Sequence, residues 1–220
     1  MPHVQAIMVF VVLLMGADGV GKSTVAQHLV KGYGFVELSF AAALRKSAIA
    51  VWNGIASMTS ELPSMSMEDT QDRASKESPL GNLMLAGRPL SPRVLLQWFG
   101  TDIMRNMVSE DIWVHAALAK LRSEIDKGAT RVVFSDCRFS NELEGVKRMV
   151  AEYDSPSTLY SVRLVHGKRL SATDDKTKHV SARSWETLPA DVDIVNPMDR
   201  ECMSAWLTTT CEIIYKSSFI

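Results

Sequence analysis

The sequence predicts an α/β fold: a doubly wound, parallel, five-stranded sheet with helices on both faces. Residues 6–15 (AIMVFVVLLM) form an unbroken apolar run that ends at Gly16. A run of this length that stops at glycine is typical of a strand buried on both faces of a parallel sheet. Further along the chain, strand-like runs alternate with helical patterns, which favours the same fold class. Ligands of such folds bind beyond the carboxyl ends of the strands, so we expect the functional residues there.

The later elements follow in an order that local residues justify. Ser91 and Pro92 have the N-cap and first-turn positions of a helix that is broken near Gly100. Ser109 caps the next helix, and Gly128 lies past its end. The other predicted strands are Phe35–Phe40, Arg131–Ser135, Leu159–Val165 and Val192–Val195, and the other predicted helices are Gly21–Lys31, Ala41–Trp52, Asn141–Tyr153 and Glu201–Lys216.

Two polar segments interrupt this pattern. Residues 55–90 are rich in Ser, Met and Pro without a clear period, and residues 166–186 are polar and basic. Long irregular segments inside a compact domain are usually functional loops or small caps. We therefore predict a single domain over residues 1–220, with a helical cap segment at about 55–110 and a lid at about 166–186. Both segments are expected to close over bound substrate.

The composition fits a globular domain and excludes several classes of protein. The chain has 220 residues, of which 46% are hydrophobic and 22% charged, enough for a core without a disulfide or metal. A formal net charge of −1 argues against a protein that coats a nucleic acid polymer. The apolar run at residues 6–15 is about half a membrane span, so we expect no membrane association. Three widely spaced cysteines indicate a reducing, cytoplasmic location.

Residues 16–23 (GADGVGKS) match the phosphate-loop (P-loop) pattern G-x-x-x-x-G-K-[ST] between a strand and a helix. The glycines let backbone N–H groups surround phosphates, and the helix N-terminus adds positive potential. Lys22 is expected to reach the β- and γ-phosphates of ATP, and the Ser23 hydroxyl to bind Mg²⁺. The predicted phosphate contacts come from Gly16, Asp18, Gly19, Val20, Gly21, Lys22, Ser23 and Thr24.

The rest of the sequence narrows the class of phosphate-loop protein. A Ras-type GTPase would carry N-K-x-D, whereas the nearest string, residues 196–199 (NPMD), lacks the lysine. It would also carry D-x-x-G after the third strand, where residues 136–139 read DCRF. Motor ATPases are usually larger. The remaining interpretation is a small kinase with two mobile polar segments.

A series of strings after the loop points to a family. In order, they are residues 96–102 (LQWFGTD), Arg105, residues 111–114 (DIWV), residues 136–142 (DCRFSNE) and residues 193–196 (DIVN). The series resembles the bacteriophage deoxynucleoside monophosphate kinases over about Val9–Asn196. This resemblance implies transfer of the γ-phosphoryl group of ATP to a deoxynucleoside monophosphate (dNMP), with Mg²⁺, in deoxynucleotide metabolism. The cytoplasm would be the host's if the chain is phage-encoded, and a homodimer is left open.

The residues and the resemblance together name the remaining candidates. Asp136 ends the third strand, where a carboxylate can hold Mg²⁺-bound water or orient an arginine. Arg138 suits an acceptor phosphate because a guanidinium is planar and always charged. Glu142 could stabilise Arg138, contact the sugar, or be a first-turn helix acid. The expected catalytic residues are Lys22, Asp136 and Arg138, and the expected metal ligands are Ser23 and Asp136.

The expected dNMP-binding residues are Arg93, Gln97, Thr101 and Trp113, together with Arg138 and Glu142. Arg93 and Gln97 are four apart, so they share a helix face that could grip phosphate and base or simply face solvent. Trp113 could stack on the base or belong to the core. The lid is expected to supply a charge clamp through Arg169 or Arg183. The alternatives left open are a thymidylate kinase, a dephospho-coenzyme A kinase and a nucleotide-binding regulator without transfer activity.

Overall fold

The computed structural model describes residues 8–153, 157–167, 184–199 and 201–219. Its contacts divide the chain into two compact units. We call Met1–Phe40 with Ala116–Ile220 the sheet unit, and Ala41–His115 the inserted unit. The boundary at residue 115 falls within the helix Ile112–Asp126.

The elements alternate along the chain as an α/β fold requires. The strands are β1 (Phe10–Met15), β2 (Val36–Leu38), β3 (Met84–Leu85), β4 (Arg88–Pro89), β5 (Arg131–Phe134), β6 (Thr158–His166) and β7 (Val192–Asn196). The α-helices are α1 (Lys22–Tyr33), α2 (Ala41–Ala56), α3 (Arg73–Glu77), α4 (Pro92–Gln97), α5 (Ile112–Asp126), α6 (Ser140–Val150) and α7 (Met203–Lys216). None of the helices among these residues is both long and apolar enough to cross a bilayer.

The sheet unit is built on a five-stranded sheet with the order β2-β5-β1-β6-β7, and every neighbouring pair is parallel. All six residues of the central strand β1 are buried. Val11, Leu13 and Met15 pack into a cluster with residues of α5 and α6, and the alternate β1 residues pack into a second cluster with residues of α1 and α7. Because successive side chains of a strand point to opposite faces, this alternation places helices on both sides of the sheet. The predicted doubly wound parallel sheet is confirmed.

The inserted unit has its own small core, formed by Trp52, Met65, Leu80, Leu90 and Leu95. Asn53 fixes the chain path over this core, because its side-chain amide exchanges two hydrogen bonds with the backbone of Met65 (2.9 and 2.7 Å). The region predicted as irregular, residues 55–90, therefore contains real local structure: the end of α2, the short helix α3 and the β3–β4 hairpin. Short polar elements of this kind leave no clear period in a sequence.

The predicted helix break at Gly100 is wrong. After α4 the chain continues without interruption as a π-helix over Trp98–Val108. Gly100 packs closely on Leu44, where an added Cβ would lie 2.6 Å from a methyl carbon. The glycine therefore allows close contact with Leu44 and does not end the helix. Ser109 follows the π-helix, and α5 begins at Ile112.

Candidate active site at the carboxyl edge of the sheet

The Gly16–Ser23 loop leaves β1 at the carboxyl edge of the sheet and leads into α1. Gly16 has a φ of +136°, and a Cβ at this position would lie 2.4 Å from the carbonyl oxygen of Leu164 on β6. Gly21 has a φ of +103°, and its Cβ would lie 3.1 Å from the side-chain nitrogen of Asn196. Both conformations are unfavourable for residues with a side chain. The motif glycines are therefore required because the loop bends sharply against β6 and β7.

Lys22 is held inside this loop. Its Nζ donates hydrogen bonds to the carbonyl oxygens of Gly16 and Ala17, each at 2.8 Å. The residue is only 7% exposed. A buried ammonium is costly unless its donors are paired, and the loop carbonyls supply partners. The loop therefore fixes a positive charge next to its own backbone N–H groups at the start of α1.

Asn196, at the end of β7, supports the loop from the adjoining strand. Its Nδ2 donates to the carbonyl of Val20 at 3.0 Å, and its Oδ1 accepts from the N–H of Met198 at 2.9 Å. It is almost completely buried. This contact was not predicted from the sequence, although Asn196 is the last residue of the string DIVN (residues 193–196) that resembles the family. The only local signal is its position at the end of a predicted strand.

Asp136 lies just past β5 and bonds to the end of the neighbouring strand β2. Its Oδ2 accepts from the Ser39 hydroxyl at 2.6 Å, and its Oδ1 accepts from the N–H of Phe40 at 2.9 Å. Both carboxylate oxygens are therefore oriented by β2. Sequence reasoning missed Ser39, and the parallel register that pairs Leu38 with Phe134 is what brings it to Asp136.

Arg138 bonds to the loop that precedes α1. Its Nη2 donates to Oδ1 of Asp18 at 2.7 Å, and the two side chains are 25% and 46% exposed. The backbone N–H of Arg138 donates to Oε2 of Glu142 at 2.7 Å, and the N–H of Phe139 donates to the same oxygen at 3.0 Å. Glu142 is buried in the first turn of α6. It therefore acts as a first-turn acid and stabilises the backbone of Arg138, while its predicted sugar contact stays a prediction.

The other sheet-unit candidates are placed as follows. Ser23 and Thr24 lie in the first turn of α1 and are exposed, Gly19 is exposed at the loop tip, and Val20 is buried. Cys137 lies between Asp136 and Arg138 but is fully buried, and burial raises the pKa of its thiol well above the usual range. This thiol stays protonated and is not a nucleophile. Arg169 and Arg183 lie outside the described residues.

Four candidates belong to the inserted unit. Arg93 and Gln97 lie on α4 and are half-buried, and Arg93 forms an ion pair with Glu77 of α3. Thr101 lies in the π-helix. Trp113 is buried, and its Nε1 donates to the carbonyl of Gly100 at 2.9 Å. This contact ties α5 to the π-helix within the unit, and base stacking by Trp113 stays a prediction.

Oxygen ligands for a divalent cation are present in the sheet unit. Mg²⁺ prefers hydroxyl and carboxylate oxygens, keeps several waters, and is usually held through one or two protein groups and substrate phosphates. The Ser23 hydroxyl and the Asp136 carboxylate have this chemistry, so the residues fit the ion. Within the described ranges, no cluster of three or more His, Cys, Asp or Glu side chains could hold a metal by protein ligands alone.

Comparison with known proteins identifies the family. A family model for deoxynucleotide monophosphate kinase matches residues 80–154. A putative deoxynucleotide monophosphate kinase of Acanthamoeba polyphaga mimivirus is 32% identical over 144 residues, which cover 62% of this chain and 67% of the relative. The chain belongs to the deoxynucleotide monophosphate kinase family. As a member, it is a nucleotide kinase and hence a phosphotransferase.

The part of this kinase that matches the family model contains all six of its predicted dNMP-binding residues, together with Asp136. Residues 80–154 include Arg93, Gln97, Thr101, Trp113, Asp136, Arg138 and Glu142. The Gly16–Ser23 loop lies outside that range. The two observations are therefore independent: the family match covers one set of residues, and the loop geometry concerns another.

Solved structures of other kinases align with most of this chain, at low sequence identity and low TM-score. An unliganded sugar kinase from Janibacter sp. HTCC2649 is 13% identical with a TM-score of 0.40, and covers 96% of this chain and 92% of its own. Dephospho-CoA kinase from Campylobacter jejuni is 13% identical with a TM-score of 0.40, over 94% and 98% of the two chains. Gluconokinase from Sinorhizobium meliloti 1021 is 16% identical with a TM-score of 0.39, over 97% and 99%.

Proposed function

We propose that this kinase transfers the γ-phosphoryl group of ATP to a dNMP, giving ADP and the deoxynucleoside diphosphate. The observation that carries the proposal is the placement of Arg138. A guanidinium bonded to Asp18 stands beside a loop that already contains a buried lysine. One cation serves the donor phosphates, and a second cation close by serves an acceptor that is itself an anion. Family membership supports the same substrate class.

On the donor side, we propose that the Gly16–Ser23 loop binds the phosphates of ATP. Lys22 contributes its charge, and the N-terminus of α1 contributes backbone N–H groups and a positive dipole. Phosphoryl transfer depends mainly on positioning and on neutralising charge, so preorganised donors account for most of the catalysis. The two loop carbonyls that bind Lys22 keep its ammonium in place before ATP arrives.

On the acceptor side, an oxygen of the dNMP phosphate attacks the γ-phosphorus while the bond to the β-γ bridging oxygen breaks. The second pKa of a phosphate monoester is about 6, so the acceptor is already largely dianionic at pH 7 and needs no general base. Arg138 would neutralise this charge and allow the two anions to meet. Arg93, Gln97, Thr101 and Trp113 are the proposed contacts of the inserted unit with the dNMP.

We propose Mg²⁺ as the cofactor of this reaction. When bound, it would neutralise charge on the β- and γ-phosphate oxygens. The Ser23 hydroxyl, in the first turn of α1, would hold it directly. Asp136, oriented by Ser39 and by the N–H of Phe40, would hold it through water.

The test is a coupled assay of ADP release with ATP and Mg²⁺, in which each of dAMP, dGMP, dCMP and dTMP is added separately. Dephospho-coenzyme A and a reaction without acceptor are the comparison arms, and chromatography identifies the product. We expect release that depends on at least one dNMP and a diphosphate product. Lys22→Ala protein purified in parallel controls for contaminating kinases. Transfer to dephospho-coenzyme A alone, or no acceptor-dependent release, would overturn the proposal.

A further inference from the structure

We propose that Asp18 is the positioning residue for Arg138, rather than a contact of ATP. The inference rests on the proposed function. Asp18 lies between Gly16 and Gly19, inside a loop whose backbone and lysine favour anions. A carboxylate there would repel phosphates unless its charge is compensated. Among the described contacts, its carboxylate accepts from Arg138, at 2.7 Å, from a segment 120 residues away in sequence.

The geometry fixes Arg138 at two points. Glu142 accepts the backbone N–H of Arg138 at 2.7 Å, which sets where the side chain begins. Asp18 accepts from Nη2, which sets where the guanidinium ends. A guanidinium carries five N–H donors in a planar fork, so the same group can bind a carboxylate and a phosphate. Asp18 therefore directs the fork toward the loop where donor and acceptor phosphates must meet.

The charges give Asp18 a second effect on the same residue. Arg138 without a carboxylate partner would be attracted to the ATP phosphates and would add to donor binding. The pairing with Asp18 holds the guanidinium in place, so that Lys22 remains the main cation of the donor site. Loss of the Asp18 charge should then weaken dNMP binding and leave ATP binding nearly unchanged or slightly tighter. If Asp18 only shaped the loop, its replacement would instead weaken ATP binding.

The experiment is steady-state kinetics of Asp18→Asn, which keeps the shape of the side chain and removes its charge. We expect the KM for the dNMP to rise roughly 3- to 20-fold, because the guanidinium of Arg138 is no longer held in position. The rise is limited because a partly exposed ion pair is weaker than a buried one. The KM for ATP should change less than about twofold. Asp126→Asn, an exposed carboxylate at the end of α5, is the matched control. Asp18→Glu should recover part of the loss, and thermal melting of each variant checks the fold.

A double variant separates positioning from other roles. In an Arg138→Ala background, Asp18→Asn should have no further effect on the KM for the dNMP, because the residue it positions is gone. Two results would overturn the inference while wild-type transfer stays normal. In the first, Asp18→Asn raises the KM for the dNMP by the same factor in the Arg138→Ala background as in the wild type. In the second, Asp18→Asn raises the KM for ATP alone. If the wild type transferred phosphate to no dNMP, the proposed function would fail, and this inference would fail with it.

Discussion

Lys22 and Arg138, two cations at the carboxyl edge of the sheet, are held in different ways. Lys22 is buried and donates to carbonyl oxygens five and six residues before it in the same loop. Arg138 is a quarter exposed, and carboxylates hold it: Glu142 at its backbone and Asp18 at its guanidinium. The first cation depends on the backbone path of one short motif, and the second depends on side chains from separate segments.

This difference should determine how the position of each cation responds to substitutions. A cation held by backbone carbonyls keeps its place as long as the path of the loop is intact, so only substitutions that disturb the loop, at its glycines or at Asn196, should affect it. The guanidinium of Arg138 can adjust, because its contact with the partly exposed carboxylate of Asp18 is individually weak. We therefore expect the donor side to respond only to substitutions that disturb the loop, and the acceptor side to respond to substitutions of the carboxylates that hold Arg138. The predictions below test this contrast.

The largest effect is expected for Lys22→Ala. Loss of a preorganised charge at the transferred phosphoryl group should lower kcat roughly 100-fold or more. The Gly16 and Ala17 carbonyls lose their ammonium partner, which costs about 1–3 kcal/mol for each one left buried, and the fold should survive. Turnover and thermal melting measure the two effects. Lys31→Ala, in the last turn of α1 and exposed, is the control and should behave like the wild type. Near-normal turnover with a normal melting curve would contradict the donor role.

The next largest effect is expected for Arg138→Ala. A charge-assisted contact is worth roughly 1.5–3 kcal/mol, so the apparent dNMP affinity should fall about tenfold to a hundredfold. Turnover should slow, and the KM for ATP should change much less. Arg138→Lys should recover only part of the loss, because a point charge cannot reproduce a bidentate contact.

Varying each substrate separately measures both constants for the Arg138 variants. Arg148→Ala, which removes an exposed arginine of α6, is the control and should leave both unchanged. A rise in the KM for ATP alone would move Arg138 to the donor site and make Arg93 the acceptor candidate.

Much of the fold was predictable because its signals are local. The apolar β1 run, the glycine that ends it and the alternation of elements predicted the parallel five-stranded sheet, which the strand pairing confirms. The error at Gly100 has a physical cause. Glycine lowers helix propensity, but here the missing side chain allows contact with Leu44, and tertiary packing decides the local structure. No local pattern distinguishes these two uses of glycine.

Some contacts of the site could be predicted from the sequence and others could not, because only local signals can be found in a sequence. The motif alone placed Lys22, because its partners lie within the motif. Arg138 was identified from its position after the third strand together with the resemblance, but Asp18, which binds it, was assigned to ATP. The Asp18–Arg138 pair joins segments 120 residues apart, and so depends on strand order. Ser39 was missed entirely, since it meets Asp136 only through the β2–β5 register. Contacts between strand ends require the topology as well as the motifs.

A smaller effect, confined to the donor side, is expected for Asn196→Ala. The buried carbonyl of Val20 and the N–H of Met198 would lose their partner, which should lower the free energy of unfolding by about 1–3 kcal/mol. The loop would be less well fixed, so the KM for ATP should rise several-fold, by the order of one weakened hydrogen bond. Chemical denaturation and kinetics measure the two effects. Asn82→Ala, at an exposed position, should show neither, and a rise in the KM for the dNMP alone would contradict the assignment.

The smallest effect is expected for Glu142→Gln, which changes the acceptor side through its backbone contact. Glutamine keeps the size of the side chain and one acceptor oxygen, so the N–H groups of Arg138 and Phe139 retain a partner. Bonds to a neutral acceptor are about half as strong as bonds to a carboxylate, so the start of the Arg138 side chain should be held less firmly. We expect the KM for the dNMP to rise roughly two- to fivefold with little loss of stability. Glu144→Gln, an exposed neighbour on α6, should change neither constant.

Asn196→Ala and Glu142→Gln should therefore weaken the binding of different substrates. Asn196 supports the loop that binds ATP, and Glu142 supports Arg138. If both variants raised the same Michaelis constant, the two cations would act as one unit, and the contrast between a backbone-held donor side and a carboxylate-held acceptor side would be wrong.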